Sequence, residues 1–282
     1  MVTSTPVTAP AAPVRAPVAG RAPARASGWQ RHRWTILRVL SPLALLGLWQ
    51  LGSFLGLIPE RILPAPTLIA DAGLELVGNG QLADALLVSG TRVVQGLLIG
   101  GAIGIALGAL VGLSRFAEAT VDPPLQMLRA LPHLGLIPLF ILWFGIGETP
   151  KILLVALGVA FPLYLNTFSG IRQIDRKYFE TARVLGFTWW QRFRTIILPS
   201  TAPQVLVGLR QSLAIAWLSL IVAEQINSDA GIGFIINNAR DFLRVDTIIF
   251  GLVVYALMGI ATDGIVRLLE ARALRYRTDA RA

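Results

Sequence analysis

At 282 residues, 54% hydrophobic and 15% charged, with a mean hydropathy of +0.65, the chain has the make-up of an integral membrane protein and not of an ordinary soluble domain. It contains no cysteine, which excludes a disulfide framework and a thiolate metal site and leaves the redox compartment undecided. The net charge of +9 does not signal a nucleic-acid partner: the arginines bracket apolar runs instead of forming a basic stripe with aromatic neighbours, and membrane topology explains them better.

Residues 1–34 are expected to form a disordered cytoplasmic tail. Up to about residue 28 the stretch is dominated by Ala, Pro, Val, Thr and Arg, and no acidic residue precedes Glu60. Such a composition cannot bury enough apolar surface to fold, and it is too polar for the apolar core of a signal peptide. Residues 35–275 form the membrane domain, and 276–282 a short C-terminal tail. Apolar runs near the roughly 20 residues that cross a bilayer as helix place six spans at 37–57, 91–113, 121–146, 151–170, 203–225 and 247–268. Sorted by loop, Arg31, Arg33, Arg115, Arg172, Arg176, Lys177, Arg192, Arg194, Arg272, Arg275 and Arg277 fall on one side, against Arg61, Arg240 and Arg244 on the other. The positive-inside rule then makes both termini cytoplasmic.

Between the first two spans, ILPAPTLI carries Pro64 and Pro66, which fix an extended turn before a short amphipathic helix over 67–77, a plug or receptor-contact element on the outer side. The second span holds Gly96, Gly100, Gly104, Gly108 and Gly112 at every fourth position. Glycines at that period let another helix backbone come close, so this face is expected to pack on protein. In the third span Arg129 is expected to face a cavity or a partner, because a cation against lipid costs about 2.5–3.5 kcal/mol on insertion scales. His133 follows one turn later on the same face, and Pro132 and Pro138 kink the span. The alternative is that Arg129 snorkels to the headgroups and His133 is a packed core residue.

Asn166 in the fourth span reads as interhelical glue, with Trp217 and Glu224 as further polar positions along the fifth and Glu224 placed by default at the outer interface. Arg129, His133, Asn166, Trp217 and Glu224 together are the candidate lining of a solute path. Asp263 and Arg267 in the sixth span, one turn apart, are expected to neutralise each other near the inner surface.

Between spans four and five lies ETARVLGFTWWQRFRTIILP, Glu180 to Pro199, a basic amphipathic island. Asp175 is expected to cap a first short helix that Gly186 stops in the left-handed conformation. Thr188 and Gln191 form a capping box for a second, which Pro199 ends. A basic, Trp-bearing segment of this kind can simply rest on lipid headgroups.

Glu180, Thr181, Ala182, Gly186, Ile196, Leu198 and Pro199, however, stand at the spacing of the EAA motif, and this loop resembles the ATPase-coupling loop of ABC-importer permeases, Thr181 alone departing from the pattern. Beyond the loop, ILPAPT, QMLRALPHLGLIPLFILWFGIGETPKI, FETARVLG, LIVAEQI, GIGFIINNAR and DFLRVDTIIF look like the aliphatic-sulfonate importer permeases, in the group that also handles taurine, nitrate and thiamine precursors. The resemblance covers about residues 35–275. It implies an all-α fold of six transmembrane helices in the bacterial inner membrane. It further implies a homodimeric permease, a pair of ATPase subunits that bind ATP and Mg, and a periplasmic solute-binding protein. No catalytic residue, metal or cofactor is expected in this chain, which has no G-x-x-x-x-G-K-[ST] and only the lysines Lys151 and Lys177. A secondary transporter would show an inverted repeat with paired broken helices, and a channel a polar filter; neither stands out.

Overall fold

The computed structural model describes residues 28–226 and 228–274, and every regular element among them is helical. In chain order these are α1 (Gly28–Phe54), α2 (Pro66–Gly78), α3 (Gln81–Leu113), α4 (Arg115–Ala130), a 3-10 turn (His133–Leu136), α5 (Ile137–Phe144) and α6 (Glu148–Arg172). They continue with α7 (Arg176–Val184), α8 (Trp189–Arg192), a π turn (Phe193–Ile197), α9 (Leu198–Ile226), α10 (Ile232–Asp241) and α11 (Val245–Ala273). The chain divides between Leu48 and Trp49 into two units, the first contributing the early part of α1. Most of the expected 1–34 tail, Arg275, Arg277 and the 276–282 tail lie outside the described residues, and α1 starts at Gly28, inside the range expected to be tail.

Four helical stretches among the described residues are long and apolar enough to cross a membrane: α3, α6, Trp189–Ile226 and α11. A further pair, α4 and His133–Phe144, passes the same test only together and is bent by 83°, the geometry of a broken span or a re-entrant loop. Of the six expected spans, the one at 37–57 corresponds to the shorter apolar helix Leu40–Phe54, and the one at 121–146 is this broken pair. The break has a local cause. Pro132 disfavours helical backbone at Leu131, which is extended (φ −71°, ψ 136°), and α4 stops at Ala130.

The bundle is organised on glycine. Gly96 faces Val155, Gly100 faces Ala156, Gly104 faces Ala160, Gly108 faces Tyr164 and Thr167, and Gly112 faces Ile171, so α3 and α6 run parallel. A Cβ built on Gly100 would stand 2.0 Å from the Ala156 carbonyl oxygen, and one on Gly104 2.4 Å from that of Ala160. The expected protein-packed face is this contact, where absent side chains let the backbones touch. α9 lies antiparallel to α6, Gly170 against Thr201 and Gly158 against Ser219. α11 lies antiparallel to α9, through Trp217 Nε1 donating to Thr262 Oγ1 at 3.3 Å and Tyr255 donating to Glu224 at 2.8 Å. The largest apolar core, including Val93, Val159, Leu163, Leu213, Leu220, Ile236 and Val254, fills the space between them.

One end of the bundle therefore carries α7, α8 and the start of α9. The opposite end carries the starts of α6 and α11 and the end of α9, with α2 and α10 beside them. Pro66 opens α2 at a first-turn position where no N–H is needed, and Ile69, Ala72 and Leu76 are its buried face. Gly73 fits closely against Phe250, and Arg244 pairs with Glu75 at 2.9 Å, fixing α2 to α11. A cavity of about 530 Å³ lies at this end, lined among others by Leu76, Asp84, Val88, Phe234, Asn238 and Phe242. Hydrogen bonding to Glu75, with the Asp246 carboxylate beside it, raises the Arg244 pKa above its ordinary value.

Candidate functional site

The loop between α6 and α9 is built from local signals. The Asp175 side chain accepts from the Lys177 N–H at 2.9 Å and opens α7. Gly186 turns the chain at φ +72°, a conformation that L side chains rarely adopt. Thr188 and Gln191 exchange side-chain-to-backbone bonds of 2.8 and 3.3 Å, a complete capping box for α8. Ala182 and Ile197 are buried, whereas Glu180 and Thr181 are exposed. Tyr178, Val184, Leu185, Trp189, Trp190 and Leu198 are also exposed, a dense apolar surface among arginines.

Pro199 does not end the second helix, contrary to expectation. It occupies the first turn of α9, directly after the π turn Phe193–Ile197. A proline has no N–H for the carbonyl four residues back and its ring crowds that turn. A π turn widens the helix just ahead of it, and the chain passes through.

The expected solute-path residues separate. Arg129 and His133 do not share a helix face, because α4 ends between them. Arg129 is exposed and has no hydrogen bond or ion pair among the described residues. His133 Nε2 lies 3.1 Å from Ser219 Oγ and near Gly158, between α6 and α9. Asn166 joins the same two helices, donating to the Pro162 carbonyl at 2.8 Å and to Gln211 at 3.0 Å, and accepting from Gln204 at 3.3 Å. Trp217 is buried edge-on against Tyr255. The Asp263–Arg267 pair is present at 2.8 Å, and Arg210 also bridges Asp263 and Glu270.

Glu224 is not interfacial. It is fully buried and accepts from Arg92 at 2.5 Å, Ser89 at 2.8 Å, Tyr255 at 2.8 Å and the Gly233 N–H at 2.8 Å. Arg92, 3% exposed, turns its other edge to Glu148, Nε to Oε2 at 2.5 Å and Nη2 to Oε1 at 2.6 Å. Lys151, also buried, reaches Glu148 at 3.1 Å. Glycine makes room here too: a Cβ on Gly231 would be 2.6 Å from Glu224 Oε1 and 2.7 Å from Arg92 Nη1. Two cations and two carboxylates thus meet where α3, α6, α9, α10 and α11 converge. The sequence reading missed Arg92 and Glu148. A charge one residue inside an apolar run was the available signal, but no spacing within the chain joins positions 92, 148 and 224.

With this geometry in hand, residues 100–275 match the family of binding-protein-dependent transport system inner membrane components. The chain belongs to that family. Among the relatives of this inner-membrane component are two proteins each named "Putative aliphatic sulfonates transport permease protein". One, from Bacillus subtilis (strain 168), is 44% identical over 250 residues, covering 89% of this chain and 90% of the relative. The other, from Escherichia coli (strain K12), is 46% identical over 235 residues, covering 83% and 89%. The fold is that of a solved amino acid ABC transporter chain, with a TM-score of 0.56 at 20% identity, covering 71% of this chain and 97% of that one. As a binding-protein-dependent permease component, the protein is a multi-pass inner-membrane subunit that works with an ATPase and a solute-binding protein.

Proposed function

We propose that this permease carries an aliphatic sulfonate across the inner membrane, driven by a separate ATPase and supplied by a binding protein. The observation that carries the solute class is the near full-length similarity to two sulfonate permease relatives. The exposed loop around Glu180, with Gly186 and the capping box shaping it, is the surface on which the ATPase pulls. Its arginines put it, with both termini, on the cytoplasmic side. Two copies of the chain pair in the lipid bilayer to enclose the path, and nucleotide binding by the ATPase shifts the pair between inward- and outward-open states. Arg129, exposed and unpaired among the described residues, is a cation available to a passing anion. The experiment is uptake of labelled ethanesulfonate by the reconstituted complex with its binding protein, with taurine and nitrate as competitors. ATP-dependent ethanesulfonate uptake is expected. Import of taurine or nitrate with none of ethanesulfonate would refute the solute assignment.

A further inference from the structure

We propose that Arg92 and Lys151 form an anion-binding station whose resident occupant, the Glu148 carboxylate, is displaced by the transported anion. This rests on the reading of the protein as an anion permease and locates where the anion is held.

The two carboxylates on Arg92 differ in kind. Glu224 is sealed: its side chain is 0% exposed, and three further donors from α3, α10 and α11 hold it. Glu148 is loose: its side chain is 55% exposed, and its only partners among the described residues are Arg92 and Lys151. It follows the glycines Gly145 (φ +77°) and Gly147 (φ +157°), at which an added Cβ would meet nothing within 4 Å, so the turn leading to it is open on its sides. Glu148 can swing into water and be solvated there. Arg92 and Lys151, both buried, cannot follow it.

That asymmetry makes the exchange specific. If Glu148 left with nothing in its place, a buried ammonium and one edge of a buried guanidinium would stand unpaired, which is costly. Another anion must enter as Glu148 departs. The vacated position offers the Nε and Nη2 fork of Arg92, spaced for two oxygens of one acidic group, and the Lys151 ammonium as a third donor. A sulfonate has three oxygens in a compact head and remains anionic throughout the physiological range. The swap leaves the charge inside the protein unchanged, and the tethered competitor keeps the anion weakly held, as release to the far side requires. Ser219, which His133 contacts, lies five residues along α9 from Glu224, about 7–8 Å at the helical rise, so the station stands next to a second polar level between α6 and α9.

The test uses the permease–ATPase complex in nanodiscs without binding protein, with ethanesulfonate as probe at fixed ionic strength. E148Q keeps the size of the side chain and removes the competing charge. Ethanesulfonate is expected to bind E148Q about tenfold more tightly than wild type, the effect of one charge-assisted hydrogen bond on an affinity. Lys151→Met in the E148Q background is expected to reverse the gain. The melting midpoint of E148Q, lowered in chloride, is expected to be restored by ethanesulfonate. Glu148→Asp, with its charge on a shorter arm, should lie between wild type and E148Q and serves if E148Q does not assemble. Unchanged or weaker binding by both variants, or a midpoint that responds equally to chloride and ethanesulfonate, overturns the proposal and leaves Glu148 a structural partner. If E148Q gains affinity for nitrate or bicarbonate while the complete wild-type system imports no ethanesulfonate, the station stands and the sulfonate assignment falls.

Discussion

Adding one methyl group at Gly100 should separate the two helices on which the bundle is built. In Gly100→Ala the new Cβ would stand 2.0 Å from the Ala156 carbonyl oxygen, with the carbonyl carbon and Cα of the same residue at 2.7 and 2.8 Å. All three are backbone atoms, so no rotamer change relieves the clash. α3 and α6 must part by about an ångström or more over at least one turn to reach ordinary van der Waals contact, loosening the neighbouring contacts at Gly96 and Gly104. Overpacking of this kind costs about 1–3 kcal/mol, and a rigid backbone obstacle puts this site at the upper end. Gly90 in the same helix is the control: a Cβ added there would meet nothing within 4 Å, and Ala should be neutral or stabilising by up to about 1 kcal/mol. Denaturant titration of the purified protein in mixed micelles, followed by tryptophan fluorescence, reads both. Gly100→Ala together with Gly104→Ala should cost less than the sum of the two, because the first substitution already opens the gap that the second needs. A Gly100→Ala protein as stable as Gly90→Ala would mean that α3 and α6 do not touch through these glycines.

Four further outcomes follow from the same structure. Glu224→Ala strips a buried arginine of its sealed partner and should destabilise by about 3–5 kcal/mol, with Glu224→Gln milder, as measured by denaturant midpoints. Gly186→Val forces a β-branched residue to φ +72° at a cost of about 1–2 kcal/mol; since no atom crowds the site, the loss should appear in ATPase attachment on co-purification while membrane insertion stays normal. Arg129→Ala removes an exposed side chain without partners among the described residues and should leave stability within about 0.5 kcal/mol, while ethanesulfonate uptake slows and Arg129→Lys recovers part of the rate. Cysteines placed at Asn79 and Ala280 should react with an impermeant thiol reagent from opposite sides of the membrane, and labelling of both from outside would overturn the six-span topology.

Local chemistry was legible where one segment carries its own instructions. Asp175, Gly186 and the Thr188–Gln191 pair specify caps and a turn within a few residues, and the structure realises each one. The glycine period in α3 likewise announced close backbone packing, though nothing in it said that α6 would run parallel. Two readings failed because helix continuity was judged one residue at a time. Pro132 with Leu131 breaks the chain, so the i, i+4 relation of Arg129 and His133 has no helix to act through. Pro199 follows a π turn and breaks nothing. The charge cluster stayed hidden for a different reason: its four charged members come from α3, α6 and α9, and each taken singly resembles an end-of-span charge.

Because the π turn carries Trp189 through Pro199 without interruption, the loop surface and Glu224 are mounted on one connecting rod. At about 1.5 Å per residue, the stretch Trp189–Ile226 is on the order of 55 Å long. A pull on Trp189 or Trp190 would then bear on the sealed half of the Arg92 cluster, while Glu148 is anchored to a different helix. On the proposed coupling, work done at the loop surface would reach the opposite end of the bundle as a shear between the two carboxylates that share a single guanidinium.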